Sequence, residues 1–328
     1  MKWRGFLVAV FALVIACGES QGATGGEGGN GASNGAGGAG ASNGTGGSVP
    51  PGESFSVKWG PIEVPSGEST QCVVKRIGNT ERLFVNEIHN VLGATSHHFI
   101  VYRVNDTEER PEPFACDPFA DTLSDAPLII TQRADDRLRL PEGVAYALEP
   151  NQMIRLELHY INVSPAPQIA EATSTFVSID ESDVENEANI MFMGDATFGS
   201  FEGLATFGPS FLKVPSRLNG VSYFAITGHE HQWGTNVSVE TTTDEGVAGD
   251  PVYDVENFRW DEPETVTFDP PFKVPDGGGF NLTCDWNKTT EGSVGFGLLV
   301  DDEMCFFWAY YYPSQGPVVC ANGLIPCN

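Results

Sequence analysis

The sequence contains few positive charges. Lys and Arg together number 17 against 44 Asp and Glu, which gives a formal net charge of −27 at pH 7. A chain this acidic does not attract a nucleic-acid backbone or an anionic membrane surface through charge, so we predict no nucleic-acid partner. The sequence also lacks a Gly-rich phosphate loop and a convincing Ser/His/Asp arrangement for nucleophilic catalysis. These absences argue against an enzyme that binds phosphates through a Gly-rich loop and against a Ser/His/Asp hydrolase.

The N-terminus has the pattern of an export signal, which we assign to residues 1–16. A short positive segment is followed by the apolar run Gly5–Ile15, which is too short to cross a bilayer. The run ends at Ala16 and Cys17, which resemble the bacterial lipobox, in which the cysteine becomes the lipidated first residue. The alternative is ordinary signal-peptidase cleavage beside an incidental cysteine. We predict an exported lipoprotein of the bacterial cell envelope, in contact with a membrane only through this anchor.

Residues 17–53 consist mainly of Gly, Ser, Asn, Ala and Thr. Such a segment cannot bury enough apolar surface to offset the entropy of ordering, so we predict a disordered, flexible linker. Random-coil scaling gives it a reach of roughly 30 Å. Six cysteines remain once Cys17 is assigned to lipid. An even number in an exported chain predicts disulfides, although spacing alone does not choose the pairs.

From Ser54 onward the pattern is typical of β-strands. Short apolar or alternating runs are separated by Gly, Pro, Asn and Asp, and no long window has the 3.6-residue period of a helix. We predict an all-β protein with two jelly-roll-like antiparallel β-sandwich domains, because about 270 residues are many for one sandwich. The acidic stretch 180–189 marks the predicted boundary. The predicted domains are residues 54–182 and 183–328.

The most informative motif is Gly228-His-Glu-His-Gln-Trp-Gly234, which lies between two strand-like runs. Residues i and i+2 of a strand point to the same side, so His229 and His231 would present two imidazoles to one face. Imidazole is the commonest metal ligand in proteins. The motif therefore predicts half of a metal site, with two histidines on a solvated strand face as the alternative.

Three other histidines could form a second group. His97 and His98 are adjacent, so joint ligation requires a strand end or a β-bulge, for which the preceding Gly93–Ser96 is suitable. His159 lies on the polar face of an alternating strand. His89 has no ligand-like neighbour in the sequence and is predicted to be a surface or structural histidine.

A sixth candidate ligand is Met304, which lies between three acidic residues and an aromatic strand. The acidic residues place it near a strand entrance and the surface. Its thioether suits Cu(I) rather than zinc. Two candidate copper sites follow, one built from His229, His231 and Met304 and the other from His97, His98 and His159. Glu157 and Glu230 are candidates for orienting these imidazoles, and are equally explained as solvated charges.

These six residues, in this order, resemble the type II copper, ascorbate-dependent monooxygenases, which include peptidylglycine α-hydroxylating monooxygenases and dopamine β-monooxygenase. The resemblance extends over residues 54–313. It implies two coppers per chain that face a water-filled cleft, with O2 and ascorbate or a similar reductant as co-substrates. His97, His98 and His159 would hold the electron-donating copper. His229, His231 and Met304 would hold the catalytic, oxygen-binding copper.

The resemblance also implies disulfides Cys72–Cys116 and Cys284–Cys305, and it leaves Cys320 with Cys327. Three positions depart from the peptide-hydroxylating members: Thr227 replaces an arginine, and Phe306 and Trp308 replace an asparagine and a tyrosine. A glycine-extended peptide would lose its anchoring donors there. We therefore predict hydroxylation of a small, neutral or apolar substrate in a cleft that includes these three residues.

Two alternatives remain open. One is a non-catalytic copper-binding or copper-handling lipoprotein on the same scaffold. The other is a zinc hydrolase that uses His97, His98 and His159 and has no use for Met304.

Overall fold

The part of the chain that the structure describes is almost entirely β-strand. The structure is a computed structural model, and it describes residues 50–117, 119 and 125–327. The predicted signal peptide, Cys17 and most of the linker lie outside these residues. No helix in the described residues is long and apolar enough to span a membrane. The all-β fold class predicted from the sequence is confirmed.

The N-terminal half contains two sheets and the strands β1 (Ser54–Val64), β2 (Gly67–Arg76), β3 (Leu83–Leu92), β4 (Ser96–Val104), β5 (Arg110–Ala115), β6 (Ala126–Thr131), β7 (Asp135–Arg139), β8 (Val144–Leu148), β9 (Met153–Asn162), β10 (Gln168–Ile179) and β11 (Asn186–Glu187). Sheet I has the order β1-β10-β3-β8-β11, with β7 also paired to β3. Sheet II has the order β5-β2-β9-β4-β6. Side chains of both sheets, among them Trp59, Phe176, Phe99 and Leu156, form one buried core.

The C-terminal half contains two further sheets and the strands β12 (Asn189–Asp195), β13 (Gly203–Lys213), β14 (Ser222–His229), β15 (Gly234–Thr242), β16 (Asp250–Asp254), β17 (Val266–Phe272), β18 (Gly279–Lys288), β19 (Phe306–Tyr312) and β20 (Val318–Asn322). Sheet III has the order β17-β14-β19-β12-β20, and sheet IV has the order β13-β18-β15-β16. Two single 3-10 turns, Glu181–Asp183 and Ser216–Leu218, complete the described elements.

Sheet III is buried on both faces, which explains the nearly continuous apolar sequence of its central strands. Along β19, Phe307 and Tyr311 belong to the core of the C-terminal half, whereas Trp308 and Tyr310 belong to the core of the N-terminal half. The backbone N–H of Ile130 donates to the Tyr310 hydroxyl at 3.1 Å. The two halves thus share a core within one compact unit, and their division into separate domains at residue 182 stays a prediction.

Three disulfides connect neighbouring segments, and they are the pairs that the family resemblance implies. Cys72–Cys116 joins β2 to the residues after β5. Cys284–Cys305 joins β18 to the residue just before β19, and Cys320–Cys327 closes a short loop at the end of the described chain. The second bond fixes the backbone beside Met304.

Candidate metal centres

The first candidate centre, the three-histidine site, consists of His97, His98 and His159. His98 on β4 lies directly opposite His159 on β9 in the antiparallel ladder. The register shifts between Ser96 and His98, and this irregularity brings the adjacent His97 to the same group. The requirement for a bulge, predicted from the sequence, is therefore met. The histidine nitrogens that could bind a metal all lie within 4.8 Å of one another.

Each imidazole of the three-histidine site packs against a different neighbour. The Nε2 atom of His159 lies 3.3 Å from a carboxylate oxygen of Glu68. The ring of His98 contacts Phe119, with 5.0 Å between ring centroids. The ring of His97 contacts Trp260 of the C-terminal half at 5.4 Å. Both halves of the molecule therefore enclose this site.

Burial keeps these imidazoles uncharged. It lowers the pKa of His97 to about 4, with a further contribution from the charge of His159. It also lowers the pKa of His159 to about 4 and the pKa of His98 well below its usual value. A neutral imidazole is the form that binds a metal.

The spacing of the ring nitrogens is close to that which one metal ion requires. Imidazole ligands lie about 2 Å from a transition metal, so two of them around one ion are about 3–4 Å apart. The Nε2 atom of His98 lies 2.9 Å from Nδ1 of His159, a hydrogen-bond distance just below this range. The Nδ1 atom of His98 is buried and has no hydrogen-bond partner. Three converging imidazoles suit copper, zinc, iron or nickel.

The second candidate centre, the thioether site, is the set His229, His231 and Met304 that the sequence predicts; the structure brings the two imidazoles together, and the approach of the Met304 sulfur to them stays a prediction. β14 ends at His229, and His231 begins a turn that the Gly234 N–H closes by donating to the His231 carbonyl at 2.9 Å. The two histidine rings lie 5.2 Å apart at an interplanar angle of 85°. The imidazoles therefore converge as predicted, although His231 lies beyond the strand.

The glycines that bracket the motif allow close packing. A Cβ atom on Gly228 would lie 2.6 Å from the ring of Tyr253. A Cβ atom on Gly234 would lie 2.4 Å from the carboxylate of Glu230, beneath the turn. A larger residue at either position would require these side chains or the histidine-bearing backbone to shift.

Hydrogen bonds select the nitrogens that remain for a metal. The Nδ1–H of His229 donates to the side-chain oxygen of Gln132 at 2.9 Å, and Nε2 of His229 is buried without a partner. The Nδ1 atom of His231 faces the backbone oxygen of Asp302 at 3.3 Å. Nε2 is thus the nitrogen through which each imidazole can bind. Burial lowers the pKa of His231 to about 4 and that of His229 well below its usual value.

The Glu303 side chain organises the thioether site, and the sequence did not reveal this role. Its carboxylate accepts the backbone N–H groups of His231 at 3.0 Å, Trp233 at 2.7 Å and Met304 at 3.2 Å. It also accepts the indole N–H of Trp286 at 3.0 Å. Burial raises the pKa of Glu303 to about 7, against the opposing effect of these hydrogen bonds. A single carboxylate thus connects two segments that carry candidate ligands.

The position of Met304 corrects one expectation. Met304 does precede the aromatic strand β19, but it is buried, with 3% of its surface exposed, and does not lie near the surface. Glu303, one of the three acidic residues from which Met304 was expected near the surface, is itself fully buried and has four hydrogen-bond donors around it. An acidic residue gives no sequence signal of such an environment.

The carboxylates predicted to orient the imidazoles have other neighbours. Glu157 is fully buried and accepts the Tyr102 hydroxyl at 2.8 Å and the Phe119 N–H at 3.1 Å. Glu230 is also fully buried, and burial followed by the charge of Glu303 raises its pKa well above the usual value. The contacts to the ring nitrogens come from Glu68 and Gln132, described above.

The two candidate centres are neighbours across the halves. The ring of Phe119 contacts His98 at 5.0 Å and also His229 at 5.6 Å. The charges of His229 and His231 contribute to lowering the pKa of His98, after burial and the nearer histidines. The Phe119 ring therefore contacts an imidazole of each centre, and the water-filled cleft that the resemblance implies stays a prediction.

The predicted substrate residues are buried. Thr227, Phe306 and Trp308 are 1%, 3% and 1% exposed. The hydroxyl groups of Thr227 and Thr265 form a hydrogen bond of 2.8 Å, and the Trp308 ring lies 5.9 Å from that of His229. These residues form packed walls beside the thioether site and do not line an open surface cleft, so their role toward a substrate stays a prediction.

His89 lies outside both groups. Its Nε2 atom is 2.9 Å from a carboxylate oxygen of Asp135, on the neighbouring strand β7. This pairing agrees with the structural role predicted from the sequence.

Residues 211–326 match the model of the copper type II ascorbate-dependent monooxygenase C-terminal domain. This part of the chain belongs to that family. The matched residues include His229, His231 and Met304, so the thioether site lies entirely within the monooxygenase domain. The three-histidine site lies outside the matched residues, and its assignment depends on the geometry described above.

Two solved structures are similar to this chain at low identity. The major capsid protein P2 of bacteriophage PM2 is 11% identical, with a TM-score of 0.32 over 82% of this chain and 95% of that chain. A putative secreted protein from Parabacteroides distasonis is 8% identical, with a TM-score of 0.19 over 82% of this chain and 91% of that chain. Neither similarity is close enough to support an inference about the monooxygenase domain.

Proposed function

We propose that this protein is a copper-dependent monooxygenase that hydroxylates a C–H bond of a small organic molecule, with O2 and an ascorbate-like reductant. The observation that supports the proposal most strongly is the pairing of two groups of neutral imidazoles across one interface. One group contains a buried methionine and lies inside a copper monooxygenase domain.

The two groups of residues suit different tasks. His97, His98 and His159 would hold one copper through three imidazoles, a set without a soft ligand. His229, His231 and Met304 would hold the second copper, and the thioether of Met304 favours its Cu(I) form. Bound copper would supply the one-electron redox chemistry and the activation of O2 that amino-acid side chains cannot provide.

The protein residues supply orientation and exclusion of water. Gln132 holds the His229 ring through its Nδ1–H, and Glu303 fixes the backbone of His231 and Met304. Five of the six candidate ligands are buried, so water has little access to them. In such surroundings, hydrogen bonds and charges act more strongly than they do in water.

The substrate we propose is neutral or apolar. Thr227 cannot provide the positive charge that a peptide carboxylate requires, and the neighbouring Phe306 and Trp308 offer apolar ring faces. A site with these walls gives a charged peptide end no partner for its desolvated charge. Turnover of C-terminal glycine peptides at ordinary efficiency would contradict this part of the proposal.

We further propose that the enzyme is exported and is anchored at the bacterial cell envelope through a lipid on Cys17. The apolar run before this cysteine and the Gly/Ser/Asn-rich segment after it support the proposal. Labelling of the expressed protein with a radioactive fatty acid tests it. We expect the label to be lost in Cys17→Ser, and retained label would contradict lipidation at this residue.

Metal analysis and EPR of the copper-loaded protein test the two sites. We expect two coppers per chain in the wild type, and the loss of a different copper in His229→Ala and in His159→Ala. The same copper lost in both variants, or none lost, would contradict the site model. Full activity of a zinc-loaded Met304→Ala variant would instead favour the alternative of a zinc hydrolase, which has no use for Met304.

Oxygen uptake then separates catalysis from copper binding alone. We expect a panel of small neutral compounds to include one that raises reductant-dependent O2 consumption and yields a hydroxylated product. Two bound coppers, with no compound in a broad panel coupled to O2 uptake, would favour the non-catalytic copper-binding protein.

A further inference from the structure

A surface pocket lies directly beside the segment that carries His231. Its volume is about 430 Å³, within the range of roughly 300–1,000 Å³ that small-molecule sites occupy. Its polar and aromatic lining comes from the turn after His231, from the end of β18 and the residues that follow it, and from the segment before Met304. These residues are Gln232, Trp233, Lys288, Thr290, Ser293 and Asp301. The pocket therefore adjoins two of the segments that build the thioether site.

The pocket and the thioether site also share a carboxylate. Trp233 donates its backbone N–H to Glu303 at 2.7 Å, and Glu303 accepts the backbone N–H of His231 at 3.0 Å. Gln232, which follows His231 directly, donates its side-chain amide to the carboxylate of Asp301 on the other wall. A molecule in the pocket therefore contacts residues that are bonded directly to the segment of a candidate ligand.

The positive charge in the pocket comes from Lys288. Its ammonium lies 4.6 Å from the centroid of the Trp233 ring, in a cation–π contact. The ammonium also donates to the hydroxyl of Thr290 at 2.6 Å and to the carbonyls of Thr290 and Glu291 at 3.3 and 3.4 Å. These acceptors are neutral, and no carboxylate among the described residues forms an ion pair with Lys288. The ammonium is therefore held in place with its charge unpaired.

An unpaired cation is significant in a chain this acidic. With 17 Lys and Arg against 44 Asp and Glu, most of the surface repels a small anion. Arg259, another cation of the C-terminal half, pairs with Asp261 at 2.8 Å and with Glu262 at 3.1 Å. A pocket that takes an anion must supply its own positive charge, and Lys288 supplies it here.

The other groups of the pocket suit a molecule with several hydroxyl groups. Thr290 and Ser293 provide exposed hydroxyls, which can both donate and accept hydrogen bonds. The carboxylate of Asp301 accepts hydroxyl donors, and the Trp233 ring offers an apolar face. These walls do not suit the neutral or apolar substrate proposed above. An ascorbate-like reductant, by contrast, combines one negative charge, a flat ring and several hydroxyls.

We propose that this pocket binds the anionic reductant, with the Lys288 ammonium against its charge and the Trp233 ring against its ring. The inference rests on the proposed function, in which an ascorbate-like molecule is a co-substrate. Each bound ascorbate monoanion loses one electron and one proton and leaves as the ascorbyl radical anion. The proton passes to water, and the electron reduces one Cu(II) to Cu(I) at the thioether site.

Binding of ascorbate to the metal-free protein tests the pocket without any turnover. Isothermal titration calorimetry under nitrogen, with a chelator present, should detect one ascorbate per chain. Lys288→Met should weaken binding about tenfold or more, because it removes the charge and keeps the packing on Trp233. Lys288→Arg should keep most of the affinity. The matched control, Lys273→Met, removes a charge from an exposed position in the same half and should leave binding unchanged.

Two further ligands distinguish a reductant site from a general anion site. L-Gulono-1,4-lactone has a ring and hydroxyls similar to those of ascorbate but carries no charge, so it should bind about tenfold more weakly or worse. Inorganic phosphate carries charge but has no ring, and it should not displace ascorbate at equal concentration. Displacement by equimolar phosphate would mean an adventitious ion only and would overturn the proposal.

The indole N–H of Trp233 reports where ascorbate binds. In ¹⁵N-labelled protein its NMR signal, identified by its absence in Trp233→Phe, should shift when ascorbate is added. Should Lys288→Met fail to fold, Ser293→Glu provides the second test, because it adds a negative charge at an exposed position of the pocket and should abolish binding. An unshifted Trp233 signal, or wild-type affinity in Ser293→Glu, would refute the pocket.

Copper content separates this proposal from the proposed function. If the wild type fails to bind two coppers, the proposed function fails, whereas ascorbate binding to the metal-free protein still decides the pocket. If two coppers bind and Lys288→Met binds ascorbate as tightly as the wild type, the pocket alone is refuted. In the copper-loaded protein, Lys288→Met should raise about tenfold the ascorbate concentration that gives a half-maximal rate of loss of the Cu(II) EPR signal.

Discussion

Both candidate metal centres use imidazole ligands, but the two are built in different ways. In the three-histidine site, His98 and His159 are partners in the ladder of β4 and β9, and one bulge adds His97. In the thioether site, the ligands lie at a strand end, on a turn and before another strand. Strand pairing thus positions the first centre, whereas side-chain hydrogen bonds position the second.

This difference indicates where each centre is vulnerable. The backbone hydrogen bonds of sheet II hold the three-histidine site, so its position does not depend on one side chain. The thioether site depends on the Glu303 carboxylate, which accepts four hydrogen bonds from three separate segments. Substitutions of single side chains should therefore affect the thioether site more than the three-histidine site.

The largest effect is expected for Glu303→Ala. The substitution leaves four donors, three of them buried, without their acceptor, and we expect the free energy of unfolding to fall by about 4 kcal/mol. Copper should be lost from the thioether site, while the three-histidine site keeps its ion. Urea unfolding and copper content per chain measure the two effects.

Glu303→Gln provides the comparison for this experiment. Its amide oxygen can accept some of the four N–H groups, so both losses should be smaller than in Glu303→Ala. If Glu303→Ala retained two coppers and wild-type stability, the organising role of this carboxylate would be wrong.

Acid should destabilise the metal-free protein somewhat less than Glu303→Ala does. The pKa of His159 is about 4 in the fold against 6.5 for an ordinary histidine, so the unfolded chain binds more protons between these values. The stability that the neutral imidazole contributes is therefore complete above pH 6.5 and is lost as the pH falls toward 4. For this one histidine the loss amounts to about 3 kcal/mol.

The same experiment distinguishes the two centres. Glu303, whose pKa is raised to about 7, affects stability with the opposite sign. Its protonated form stabilises the fold, and this contribution is lost as the pH rises from 4.5 toward 7. It therefore offsets part of the acid effect of His231 in the thioether site. We expect His159→Gln to flatten the fall in unfolding free energy between pH 6.5 and 4, and an unchanged slope would contradict the assignment.

The sequence was sufficient for the features that depend on short-range pattern. Alternation of apolar residues predicted strands, and the adjacent pair His97 and His98 predicted a strand end or a bulge, because both depend on the two-residue period of a strand. The motif around His229 and His231 predicted converging imidazoles from the same period, and the imidazoles do converge, although His231 lies on a turn beyond the strand. These features are encoded within a few neighbouring residues.

The sequence could not predict which distant residues complete each centre. Gln132 and His229 are 97 positions apart, and Trp260 reaches His97 from the other half of the chain. Such contacts depend on how sheets pack, which the local spacing of residues along the sequence does not predict. For the same reason Met304 was expected near the surface, and Phe306 and Trp308 beside an open cleft.

The smallest of the three effects concerns the residues that hold one imidazole each. Glu68 contacts His159 and Gln132 contacts His229, so Glu68→Gln and Gln132→Ala form a matched pair, one for each centre. Loss of such a partner weakens metal binding about 10–100-fold. We expect each variant to weaken copper binding at its own centre and leave the other unchanged, as measured by copper titration with EPR.

Because Gln132 belongs to the N-terminal half, an effect of its loss on the thioether site would also show that the halves stay in contact in solution. Equal weakening of both centres by either variant would instead mean that the two centres respond as one unit, against the separate construction described here.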